Sequence, residues 1–144
     1  MNDSMRRDAI SRVGITIAID GPAGSGKSTV SKALATRLAI GYLDTGAMYR
    51  ALTWYCLDRG IDLADSEAVA AAEMPLRLVS DPSDPHVWVG EREVTKDIRD
   101  PRIALEIKHV STNLEVRAWM ATEQRRRMME AREKGSGMIA EGRD

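Results

Sequence analysis

The chain has 144 residues, 43% of them hydrophobic, which is the size of one domain with apolar content enough for an ordinary core. With 21 Lys+Arg against 22 Asp+Glu the net charge is −1, so nothing draws the chain as a whole to nucleic acid or to an anionic membrane, and any anion must be held by a local site. Cys56 is the one cysteine, which excludes an intrachain disulfide, and no apolar run approaches the ~20 residues of a membrane span. The start "MNDSMRRDAISRVG" has no signal-peptide core, so the expectation is a cytoplasmic protein with no nucleic-acid and no membrane partner. Without phenylalanine and with 4% aromatics, the core is expected to be aliphatic and methionine.

In chain order, Ile15 to Ile19 is a short β-branched run broken by "DGPAG", the pattern of a buried parallel strand entering a loop. Lys27 to Ala39 predicts a helix with Val30, Ala33, Leu34 and Leu38 on its apolar face. A second strand is expected over Ile40 to Leu43, and Asp44 or Thr45 can cap a helix from about Gly46 to Arg59, stopped at Gly60. This order predicts a parallel sheet with right-handed crossovers. "DLADSEAVAAAEM" reads as a short helix; "LRLVS", "HVWVG" and "REV" then form a small antiparallel insert over roughly Pro75 to Thr95. Within it His86 and Trp88 are read as packing residues, and Cys56 on the preceding helix as a packed small hydrophobe. Asp100-Pro101 opens a helix carrying Ile103, Ile107 and Val110, and a longer one runs from Leu114 to Lys134 with Arg125, Arg126 and Arg127 on its wet face, ending at Gly135. "GMIAEGRD" is the third strand candidate.

The stretch "GPAGSGKST" between the first strand and its helix fits G-x-x-x-x-G-K-[ST] at Gly21, Gly26, Lys27 and Ser28. Glycines let backbone N–H groups reach phosphate oxygens unobstructed, and the helix N-terminus behind them adds partial positive charge. Lys27 brings a mobile full charge to the β- and γ-phosphates, and the Ser28 hydroxyl can ligate Mg²⁺. Gly21, Gly24, Ser25, Gly26, Lys27, Ser28 and Thr29 are the residues expected to hold a nucleoside triphosphate, with Ser28 on the metal. The loop alone fixes no reaction. A GTPase calls for N-K-x-D, which is absent; a motor ATPase calls for a long apolar strand ending in an acidic pair, for which only "MIAEG" offers itself. A kinase for a small acceptor needs a second anion clamp, a task suited to arginine, and Arg50, Arg117 and Arg143 are placed for it. Arg50 and Arg143 follow strand C-terminal ends, where ligands of open α/β sheets bind.

Taken together, "ITIAIDGPAGSGKST", "YLDTGAMYRA", "EVTKDIRDP", "EVRAWMATEQRR" and "GMIAEGRD" resemble bacterial cytidylate kinase in order and spacing, from Ile15 onward. The resemblance implies the P-loop nucleoside monophosphate kinase fold: an α/β protein with a parallel sheet, helices on both faces and a small antiparallel insert. It divides the chain into a first part of the core (1–74), an insert on the acceptor side (75–97), and helices with a third core strand (98–144). It implies transfer of a phosphoryl group from ATP to CMP or dCMP with Mg²⁺, giving ADP and CDP or dCDP. By the same resemblance Arg50 and Arg143 clamp the acceptor phosphate and act with Lys27 in catalysis. Thr45, Arg117 and Asp144 contact the cytosine, and Tyr49 lies against the nucleotide. A carboxylate such as Asp144 beside an arginine such as Arg117 complements the exocyclic amine, N3 and O2 of cytosine, whereas uracil would leave polar groups unpaired.

Two departures from the family pattern bear on this. Lys108 stands where the family commonly has a serine that touches the acceptor. The family also continues beyond "EGRD" with two more core strands and an arginine-bearing lid over ATP, so the C-terminal part of that fold is absent from this sequence. The consequence expected is a monomer whose phosphate-loop strand has an unpaired edge open to strand-swapped association, inactive or nearly so by itself. Two other readings stay open: a non-catalytic nucleotide-binding module, and a P-loop kinase for another small acceptor.

Overall fold

A computed structural model describes residues 2–5, 14–22 and 25–142. In chain order they form β1 (Thr16–Ile19), α1 (Lys27–Leu38), β2 (Gly41–Asp44), α2 (Thr45–Asp58), α3 (Ser66–Ala70), β3 (Leu76–Val79), β4 (His86–Val89), β5 (Arg92–Glu93), a 3₁₀ turn (Asp97–Arg99), α4 (Pro101–Ser111), α5 (Leu114–Glu133) and β6 (Met138–Glu141). The chain divides into two units, one of Met1–Thr45, Ser80–Pro85 and Glu123–Asp144, the other of Gly46–Val79 and His86–Thr122.

In the first unit β1, β6 and β2 form a parallel sheet with β6 in the middle. The two strands read first in the sequence are therefore not neighbours; the third separates them. All four residues of β6 are buried, as a strand paired on both edges and covered on its faces requires. The register sets Ile17, Ile139 and Tyr42 in one row across the sheet. That row packs with Ala35, Ile40 and the half-buried Leu34 and Leu38 to make the core of this unit. β1 is at the sheet's edge, with Thr16 and Ala18 exposed.

The face that α1 buries differs from the one its apolar residues suggest. Val30 and Ala33 are exposed, while Ser31 and Ala35 are fully buried beside Leu34 and Leu38. A serine can hold a core position here because its Oγ donates to the Lys27 carbonyl at 2.6 Å, one turn back, so no polar group is left unsatisfied. Arg125 and Arg126 are exposed, as expected of a wet face, but the Arg127 side chain is only 13% exposed and faces Glu123 at 3.6 Å. Residues of a helix advance about 100° each, so three in a row cannot share one face.

The second unit carries the antiparallel sheet β3-β4-β5, in which Arg77 lies opposite Trp88 and stacks its guanidinium over the indole at 4.7 Å. His86 Nδ1 pairs with Glu93 Oε1 at 2.8 Å, so this histidine makes a cross-strand polar contact where packing alone was expected. Asp65 caps α3 and Asp100 caps α4, ahead of Pro101 in its first turn. The Asn113 carboxamide oxygen accepts from the Glu115 and Val116 amides and so opens α5, a cap the sequence reading passed over. The buried residues of this unit include Met48, Leu52, Val69, Val94, Ile103, Val110, Val116 and Met120, an aliphatic and methionine set. Cys56 is completely buried, and burial pushes its thiol above the ordinary value.

Two outcomes follow from this packing. Ile139→Ala, at the centre of the strand paired on both edges in the parallel sheet, is expected to cost about 2–5 kcal/mol in urea denaturation. Cys56 should react with a thiol reagent such as DTNB only as the protein unfolds, since a buried neutral thiol is a poor nucleophile.

Candidate active site

The strands of the parallel sheet all point their C-terminal ends to one edge, and each ends in or next to a carboxylate. Asp20 follows β1, Asp44 closes β2 and Glu141 closes β6, and Ile19, Glu141 and Asp44 share one register row. The edge of an open α/β sheet where strands end is where its ligands bind.

From β1 the chain turns at Gly21, whose N–H is held by Asp20 Oδ1 at 2.7 Å, into the glycine loop. The Ser25 amide bonds to the Pro22 carbonyl at 3.3 Å, and Gly26, in the left-handed region at φ +83°, hands the chain to α1. No side chain caps that helix and no acidic residue stands in its first turn, so the amide donors at its N-terminus and the dipole behind them face outward. Ser25 and Thr29 are exposed at this mouth. Lys27 reaches back over the loop, its Nζ 2.7 Å from the Gly21 carbonyl. Backbone donors at a helix start with one lysine beside them are features that suit an anion.

Beneath the loop lies Glu141, 4% exposed. Ser28 Oγ donates to its Oε1 at 2.7 Å, and the Tyr42 hydroxyl donates to its Oε2. Burial first, and then this bond to the carboxylate, push the Tyr42 phenol far above its ordinary range, so it stays a donor. The Glu141 backbone is held as well: its carbonyl accepts from Thr45 Oγ1 at 2.7 Å, and the Gly142 amide next to it donates to the Ile19 carbonyl at 3.0 Å. Gly142 has φ +141°, and a Cβ there would fall 1.6 Å from Thr45 Oγ1. Only glycine lets the chain leave β6 so close to Thr45.

The donor set also answers whether Mg²⁺ fits. Among the described residues no group of three or more His, Cys, Asp or Glu could hold a metal by itself. A hydroxyl that gives its proton to a carboxylate turns its lone pairs outward, and one such oxygen suits a hard cation that arrives with most of its ligands on a nucleotide.

Of the residues singled out in the sequence, Gly21, Ser25, Gly26, Lys27, Ser28, Thr29 and Thr45 all lie in this first unit. Gly24, Arg143 and Asp144 lie outside the described residues. Tyr49, Arg50 and Arg117 belong to the second unit. Tyr49 is buried and Arg50 half-buried along α2, and Arg117 is exposed on α5 with Nη1 3.2 Å from the Ser111 carbonyl. Lys108 is exposed on α4. The sequence reading missed Tyr42 and gave Glu141 no role; the signal for the second was an acid ending a strand candidate, in "MIAEG". Among the described residues no helix is long and apolar enough to cross a membrane.

A glycine loop feeding an uncapped helix at the carboxyl edge of a parallel sheet is the architecture common among phosphate-binding α/β proteins. The family model for cytidylate kinase matches residues 17–144, and the chain belongs to that family. It is 47% identical over 133 residues to the cytidylate kinase of Corynebacterium glutamicum, covering 91% of this chain and 56% of that protein. The cytidylate kinase of Streptomyces avermitilis is 42% identical over 132 residues, covering 90% and 56%. A bifunctional pantoate ligase/cytidylate kinase of Synechococcus sp. is 47% identical over 131 residues, 89% of this chain and 26% of that protein. The chain thus spans about half the length of the cytidylate kinases it matches.

Gly142→Ala should destabilise the first unit by more than about 1 kcal/mol, because the new residue is strained at positive φ and must displace the Thr45 hydroxyl from the Glu141 carbonyl. A lowered urea midpoint, with binding of a fluorescent ATP analogue weakened alongside, is the expected result.

Proposed function

We propose that this chain carries the phosphate-donor site of a kinase that moves the γ-phosphoryl group of ATP to CMP or dCMP, giving ADP and CDP or dCDP. The observation that carries the reading is the Ser28 hydroxyl, donated to buried Glu141 at the mouth of an uncapped helix. It sets an oxygen lone pair and a row of backbone donors at one place, which suits a metal-bound triphosphate.

In this reading the loop from Gly21 to Thr29, with Gly24 among its residues, wraps the phosphates. Lys27 leaves the Gly21 carbonyl for the β- and γ-phosphate oxygens. Ser28 would touch Mg²⁺ bound with the nucleotide, which would supply charge neutralisation at the phosphoryl group in transfer. Arg50 and Arg143 hold the acceptor phosphate against its repulsion from ATP, so that one of its oxygens attacks the γ-phosphorus as the bond to the ADP oxygen breaks. No covalent intermediate is needed. Tyr49 lies against the acceptor nucleotide, while Arg117 and Asp144 read the base. Thr45 donates its proton to the Glu141 carbonyl and so offers an acceptor, which suits the cytosine amine and not the uracil carbonyl.

An assay of ADP release with ATP, Mg²⁺ and in turn CMP, dCMP, UMP and AMP tests this. Lys27-dependent ATP binding is expected, with any turnover confined to the two cytosine nucleotides and reduced about a hundredfold or more by Lys27→Ala. ATP bound in a Lys27-dependent way without turnover would restrict the reading to the donor site. Equal turnover with all four acceptors, or nucleotide binding indifferent to Lys27, would overturn it.

A further inference from the structure

Glu141 is a buried carboxylate with two side-chain donors, and they do different work. Ser28 belongs to the phosphate loop and meets Oε1. Tyr42 belongs to the sheet: it is 4% exposed, sits in the row with Ile17 and Ile139, and meets Oε2. A carboxylate can rotate about its last bond, and rotation would carry Oε1 away from Ser28. A phenol rooted in the core and tied to the second oxygen removes that freedom. The Lys32 ammonium lies over the ring, 5.7 Å from its centre. With the carboxylate fixed, the Ser28 proton has one place to go, and the lone pairs of Ser28 keep one direction.

We propose that Tyr42 is a positioning residue for the metal-bound nucleotide: by holding Oε2 of Glu141 it aims Oε1 at Ser28 and so turns the Ser28 oxygen toward Mg²⁺. The inference rests on the reading above, in which a magnesium nucleotide occupies the loop. It adds a second layer of support behind Ser28, of the kind that sets how tightly metal sites hold their ions. Tyr42, buried in the sheet, also lies against the Ser28 hydroxyl, so a Glu141→Gln background is what separates an effect carried by the carboxylate from a direct one.

The test uses binding of methylanthraniloyl-ATP, read by fluorescence in EDTA and across a Mg²⁺ titration. Tyr42→Phe keeps the ring and removes the hydroxyl. It should raise the half-saturating Mg²⁺ concentration by about tenfold while affinity in EDTA changes less than about twofold. In a Glu141→Gln background the same substitution should add nothing, because the carboxylate it positions is gone. Ile139→Val loosens the packing beside the ring without touching the hydroxyl. It should lower the melting temperature and leave the Mg²⁺ response unchanged, which separates positioning from general stability. A parent chain whose probe binding ignores Mg²⁺ would remove the donor-site reading and this inference with it. A normal Mg²⁺ response in the parent, matched by Tyr42→Phe, would overturn this inference alone.

Discussion

Burying a carboxylate at the end of the central strand is the constraint around which the first unit is arranged. Almost out of water, the Glu141 carboxyl group would be costly without donors, and a buried polar group deprived of one of its partners destabilises strongly. Its donors come from places far apart in sequence: Ser28 from the phosphate loop and Tyr42 from the second strand, with Thr45 on its carbonyl. Satisfying this one group therefore fixes the loop to the sheet. The same bonds that satisfy the buried carboxyl also set the direction of the loop's hydroxyl, so the packing of β6 and the geometry of the loop share one set of atoms.

The loop itself follows a different logic. The amides at the uncapped start of α1 carry no side-chain entropy and cannot swing away. The Lys27 side chain rests on a carbonyl of its own loop. Fixed dipoles with one lysine beside them make an arrangement in which little has to reorganise when an anion arrives.

Much of this was legible in the sequence, and the exceptions have physical causes. Strands and helices were readable from apolar runs and from stops at Gly60 and Gly135, and the loop from its spacing. The buried face of α1 was not, because Ser31 satisfies itself on Lys27 and so behaves as a small apolar residue that its identity conceals. Arg127 was misread because three arginines in a row look alike in sequence but point in three directions. The place of β6 between β1 and β2 was hidden, since neighbouring strands are declared by register and not by order. Without that placement nothing indicates that Tyr42 and Glu141 meet. The arginines of the acceptor side were suggested by family resemblance and by their settings after strands, a kind of evidence that names residues without giving their surroundings.

The central position of β6 also has a consequence in time. The strand that bears the phosphate loop gains its sheet partner only when residues more than a hundred positions later join it. At ribosomal rates of about 5–20 residues per second, that partner arrives on the order of ten seconds after the loop has been made. Through that interval β1 and β2 have no strand between them, and the loop has no carboxylate beneath Ser28. The Ser28 hydroxyl meets its carboxylate only after this long connection has closed, so one of the earliest motifs in the sequence takes its final geometry late.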